Sequence, residues 1–180
     1  MKNFVKGAVS AVLAGSMMLS IAGCANFNLI TYKDFKNALE EALEMDDDEY
    51  REYKNSSVSG SDTKHEVYAN DGNCRYAFIE FDDAEDAFDY FEDIYDEFED
   101  TIEDKDFDGN YKKGLVEGSS ASGYIIVNGD SDNSEFIDGK CYGGIFLKEN
   151  TIVIVMANSN KSKDMDKIDA MLDAIGYPKP

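Results

Sequence analysis

The sequence predicts an α+β domain: an antiparallel, meander-like sheet of about six strands with three helices packed mainly on one face. Three observations carry that expectation. Apolar residues recur at helical spacing in three segments, near 35–43, 84–102 and 162–175. From residue 111 to 157 the pattern shifts to period two, interrupted by turns rich in Gly, Asn, Asp and Ser. Consecutive strands joined by short turns pair antiparallel, and amphipathic helices need a sheet face to cover.

Taken in order, the first helix opens at Thr31, an N-cap with Asp34 at the capping-box position and Ile30 and Phe35 as a hydrophobic staple. Phe35, Ala38, Leu39, Ala42 and Leu43 form its apolar stripe. It ends near Met45, because the acidic run Asp46-Asp47-Asp48-Glu49 opposes the negative end of the helix dipole. Residues 46–64 read as a long polar loop. Val67–Ala69 and Cys74–Phe81 then flank Asn70-Asp71-Gly72-Asn73, a strong hairpin-turn signal.

The second helix is the clearest element. Ala84, Ala87, Phe88, Phe91, Ile94, Tyr95, Phe98 and Ile102 share one face, while residues 80–108 hold 16 acids against Lys105 alone. Segments 111–117, 122–128, 139–148 and 151–157 read as strands, the last two joined tightly at Glu149-Asn150. A third helix begins near Ser162 and buries Met165, Ile168, Met171, Leu172 and Ile175. Gly176 follows as its C′ residue, and Pro178 prevents continuation.

Ahead of this domain, residues 1–23 have the three parts of an export signal. Lys2 and Lys6 form a basic start, and Ala8–Ile21 an apolar run of 14 residues. A membrane-spanning helix needs about 20 apolar residues, so a cleaved signal is the better reading. Its end, Ile21-Ala22-Gly23-Cys24, resembles the lipobox of bacterial lipoproteins. The resemblance implies diacylglyceryl transfer to the Cys24 thiol, cleavage before it, and lipid anchoring at the extracytoplasmic face of the cell membrane. In an envelope with two membranes, Ala25 after the cysteine implies outer-membrane sorting. Residues 24–30 are then a lipidated tether and 31–180 a single acidic domain. In length, acidity and the Phe81-Asp82-Asp83 helix start, that domain is similar to small uncharacterised lipoproteins of Gram-positive bacteria, a likeness that implies no activity.

Without Lys2 and Lys6 the mature chain carries 15 basic and 38 acidic residues, a net charge of −23. Such a surface repels nucleic acid and anionic headgroups, so membrane contact runs through the lipid on Cys24 and nucleic acid is excluded as a partner. The protein or ligand partner is left open. The expectation is a non-catalytic binding or structural module.

Residue-level chemistry is sparse. The chain has one histidine, His65, placed in the polar loop, and no Gly-x-Ser-x-Gly, His-Glu-x-x-His or Cys-x-x-Cys motif. Carboxylates are numerous enough that some pair will be close, so a carboxylate-dependent hydrolase stays an alternative that no pair singles out. The sharpest motif is Asp104-Lys105-Asp106-Phe107-Asp108-Gly109-Asn110, which matches the opening of a calcium loop. Asp104, Asp106, Asp108 and Asn110 would be its ligands and Ca²⁺ its ion. The twelfth position, however, is Leu115 rather than Glu, and strand-like sequence follows. The competing reading is an acidic helix end turning into a strand. Outside the cytoplasm a Cys74–Cys141 disulfide is permitted but not compelled. Tyr68, Tyr76, Tyr111, Tyr124 and Tyr142 are either ligand-groove residues or half-buried strand tyrosines.

Overall fold

The fold is α+β. A computed structural model describes residues 27–118, 120–133 and 136–180; the signal segment and Cys24 lie outside these. The elements are α1 (Tyr32–Leu43), β1 (Tyr50–Val58), β2 (Ser61–Asp71), β3 (Cys74–Phe81), α2 (Ala84–Glu103), β4 (Phe107–Val116), β5 (Ser122–Asn133), β6 (Ile137–Lys148), β7 (Thr151–Ala157) and α3 (Ser162–Ile175). One sheet of seven antiparallel strands runs in the order β1-β2-β3-β7-β6-β5-β4. It joins two meanders, β1–β3 and β4–β7, through the β3–β7 ladder.

That order forces a crossover. β4 lies at the edge opposite β1, so α2 must carry the chain from β3 across the sheet. At 1.5 Å per residue its 20 residues span about 30 Å, enough to pass over the intervening strands. α2 takes one face of the sheet and packs against β3, β5, β6 and β7, while α1 and α3 share the other. Two cores result. Phe35, Leu39, Phe78, Phe146 and Leu172 fill the α1/α3 side; Phe91, Phe98, Ile79, Ile125 and Leu147 fill the α2 side.

The local signals explain most ends. Thr31 Oγ accepts from the Asp34 amide at 3.3 Å while Asp34 accepts from the Thr31 amide at 2.8 Å, a complete capping box. Asp83 caps α2 by accepting from the amides of Glu85 and Asp86. Gly176 adopts φ 72°, and the Tyr177 amide donates back to Leu172 at 2.8 Å, closing α3.

Three expectations are corrected here. Residues 46–64 are not a long loop: most of them form β1, the Ser59-Gly60 turn and the start of β2. β1 pairs with β2 from Tyr50↔Ala69 to Val58↔Ser61, skipping Asn55 at φ 49°. As an edge strand it buries only Tyr50, so its sequence is polar and carries no apolar period. The tether is shorter than residues 24–30. Phe27 is 4 % exposed, with its ring 5.5 Å from Phe146 and 4.7 Å from Tyr177.

The third correction concerns the thiols. Cys74 and Cys141 are both free and buried. Cross-strand pairing places Cys74 beside Ala157 and Tyr142, so Cys141, next along β6, points to the opposite face. The sheet itself separates them, and no disulfide forms. The Cys74 thiol faces the carbonyl of Asp164 at 3.7 Å and the Cys141 thiol that of Gly129 at 3.8 Å.

Burial pushes the Cys141 thiol up to about 11 and raises Cys74 as well. Burial, then the hydrogen bond to Asp169, pushes the Tyr142 phenol up to about 12. Each group holds its proton longer in the folded chain than in the unfolded one. Stability is therefore fully present below the ordinary thiol and phenol range and falls as pH rises from about 9 toward about 12. Denaturant titrations of the mature protein should show a falling unfolding free energy across that window. Maleimide should label neither buried thiol in native buffer and both in guanidinium. Fast native labelling, or a mass change on reduction, would contradict this placement.

Candidate functional site

α2 does not cover its whole sheet face. Beside it lies a groove of about 650 Å³, bounded by α2, Phe136 and the surface of β2, β3, β6 and β7. The register explains the depression. Tyr68, Ala77, Ile154 and Ile145 lie in one cross-strand row, and Ala77 contributes only a methyl group between two large neighbours. Ile145, Ile154 and Met156 complete an apolar floor. Ile94 from α2, Phe136 just before β6 and Ile137 at the start of β6 form the walls.

The rim is polar. Asp93 and Glu97 from α2, Asp138 from β6, and Asn70, Arg75 and Asn158 surround the floor. Asn133 Nδ2 donates to Glu97 Oε1 at 2.6 Å and to Thr101 Oγ1 at 2.9 Å, fixing the end of β5 against α2. Arg75 is exposed on the groove side of β3 and makes no ion pair among the described residues. Tyr68 borders the floor with its ring 6.2 Å from that of Tyr53. Burial, then the hydrogen bond from its hydroxyl to the Glu66 carboxylate, holds the Tyr68 phenol well above its ordinary range. It therefore stays a neutral donor at any physiological pH.

An open trough with an apolar floor and a hydrogen-bonding rim can hold an apolar side chain, ring or acyl segment while fixing its polar ends. Among its described lining residues there is no Ser, Cys or His to act as a nucleophile or its base.

The residues singled out from sequence fare unevenly. Asp104, Asp106, Asp108 and Asn110 are not gathered into a calcium loop. Asp104 caps the C-terminus of α2, the Asp106 amide donates to Thr101, and Asp108 and Asn110 lie in β4 opposite Asp130 and Asn128. An extended strand spreads alternate carboxylates along its length instead of curling them round an ion. Among the described residues no three His, Cys, Asp or Glu side chains form a metal-binding group. His65 is likewise not a loop residue. It sits in β2, its Nδ1 3.0 Å from Glu80 and its ring stacked 4.1 Å from Tyr32, tying the start of α1 to the sheet.

Of the five strand tyrosines, Tyr68 and Tyr76 border the groove, although the buried Tyr76 ring belongs to the α1/α3 core. Tyr142 bonds to Asp169 at 2.8 Å, and Tyr111 packs edge-on against Phe98 and Phe107. Tyr68 and Tyr76 were legible as candidate groove residues, whereas Ala77, Ile145, Ile154 and Met156 of the floor carried no functional signal in the sequence, being ordinary apolar strand positions. No family model, no curated protein and no solved structure matches this chain.

Proposed function

We propose that the chain is a membrane-anchored extracytoplasmic lipoprotein, held by acyl chains on Cys24, whose folded domain is a non-catalytic binding module with the α2-side groove as its binding surface. The observation that carries the anchor is the basic start and apolar run of 14 residues ending on Ile21-Ala22-Gly23-Cys24. Two acyl chains give stable anchoring where a single chain gives marginal binding, at about 0.8 kcal/mol per buried CH₂. No helix among the described residues is long and apolar enough to cross a membrane. The acyl chains would therefore supply the hold. The apolar floor and polar rim of the groove support the binding half of the reading.

Replacing Cys24 with Ser removes the only atom that accepts the lipid. The variant is expected to leave the membrane fraction, either as secreted protein or as an unprocessed precursor longer by the signal. Fractionation with immunoblotting reads both outcomes. A variant that matures and sediments with membranes as wild type does would overturn the anchor.

A further inference from the structure

We infer that the anchor holds the α1/α3 side of the domain toward the bilayer and turns the groove away from it, so that the groove is filled from the aqueous compartment and not by a membrane lipid. The inference rests on the lipid anchor proposed above, but its geometry comes from the folded domain. Phe27 is buried against Phe146 and Tyr177 on the α1/α3 side of the sheet. Only Ala25 and Asn26 separate it from Cys24. Three extended Cα–Cα steps reach no more than about 11 Å. The domain therefore cannot swing freely; the surface around Phe27 stays at the headgroups.

The groove lies on the other face of the same sheet, with Ile145 and Met156 in the α2-side core. Packed layers lie about 10 Å apart, so the sheet and its α1/α3 layer stand between groove and anchor. Along the strands the groove floor starts at Ile145 and Ile154, next to the Phe146–Val153 pair but on the opposite face. Its far end at Met156 and Asn158 lies three and five residues beyond Val153, about 10 to 17 Å at the usual rise per residue. Laying the domain on its α1/α3 face leaves the whole groove remote from the lipid, and the Asn158 end of its rim is the most remote part.

Charge acts in the same direction. α2, beside the groove, carries ten carboxylates and no cation. α1 and α3 together carry seven carboxylates and four lysines. An anionic bilayer repels the α2 face more strongly, within a Debye length of about 8 Å at physiological ionic strength. Leu29, 42 % exposed and two residues from Phe27, then lies at the membrane surface, where an exposed leucine gains contact.

The test uses the lipidated mature protein in vesicles of phosphatidylcholine and phosphatidylglycerol containing a lipid with a nitroxide on its headgroup. Cys74 and Cys141 are buried and Cys24 is acylated, so a fluorophore maleimide reports on an introduced cysteine. Asn28→Cys places it beside the anchor; Asn158→Cys places it at the groove rim, both positions being exposed. Quenching is expected to be several-fold stronger at position 28 than at 158. Inserting ten Gly and Ser residues after Ala25 leaves the domain intact and should erase most of that contrast. Equal or stronger quenching at 158, with the protein still floating on the vesicles, overturns the orientation while leaving the anchor standing. Failure of the protein to float with the vesicles at all overturns the anchor and the orientation together.

Discussion

Gly143→Ala is expected to unfold this domain or leave it barely stable. Gly143 sits in β6 at φ 140°, a backbone conformation that side-chain-bearing residues rarely adopt. A Cβ there would lie 2.1 Å from the carbonyl oxygen of Val155 and 2.9 Å from the Cα of Met156. Both are backbone atoms of the neighbouring strand β7, so no side-chain rotation relieves the clash. Overpacking a core costs about 1–3 kcal/mol, and an unfavourable backbone conformation about another 1–3 kcal/mol. Together they remove a large part of a total stability of about 5–15 kcal/mol. Gly118→Ala is the control, because Gly118 also has positive φ (124°) but nothing lies within 4 Å of its added Cβ. Urea titration should show a lowered midpoint for Gly118→Ala, from the backbone cost alone, and a much lower one for Gly143→Ala, which adds the clash with β7. Equal shifts would mean that the close approach of β6 and β7 is not as described.

Phe98→Ala should cost nearly as much and damage the groove. Phe98 is fully buried and is the hub of an aromatic cluster, with ring centroids 4.8 Å from Phe136, 5.5 Å from Tyr111 and 5.7 Å from Phe107. Its removal is expected to cost about 3–5 kcal/mol. At about 2–4 °C per kcal/mol for a domain of this size, Tm should fall by roughly 6–20 °C. The partner Phe136 is a groove wall, so the same substitution loosens the site from behind. Phe98→Leu keeps most of the volume and should lose far less. A Tm change of a degree or two for Phe98→Ala would mean that α2 is held to the sheet by other contacts.

These two sites show what kind of information the sequence held. Helices were legible wherever an apolar stripe ended on a recognisable cap: Thr31 with Asp34, and Gly176 with Tyr177 behind it. Hairpin turns at 71–74 and 148–151 were legible from Asp-Gly and Glu-Asn dipeptides. β1 was not, because an edge strand with one buried residue has no apolar pattern to read. The start of β4 at Phe107 was hidden behind aspartates that fit a metal loop equally well as text.

The position of α2 had a signal that period-two reading passes over. Thr151-Ile152-Val153-Ile154-Val155-Met156-Ala157 has no charged residue, and six of its seven positions are buried. A strand apolar on both sides needs cover on both sides, which places one helix opposite the other two. Beyond Tyr68 and Tyr76 as candidate groove residues, the groove had no local signal. Its floor brings Tyr68, Ala77, Ile154 and Ile145 together from four strands, and that row exists only because β3 pairs with β7. Strand order is a long-range property, decided by which faces must be buried rather than by any short motif.

The lipid anchor depends on Cys24, and the mass of the mature N-terminal peptide tests it most directly. Protein extracted from membranes in detergent, digested and measured intact at its N-terminus, should yield a peptide that begins at Cys24 and carries a diacylglyceryl group on sulfur. An N-terminal peptide that begins elsewhere, or a Cys24 with an unmodified thiol in the membrane-bound protein, would contradict the account.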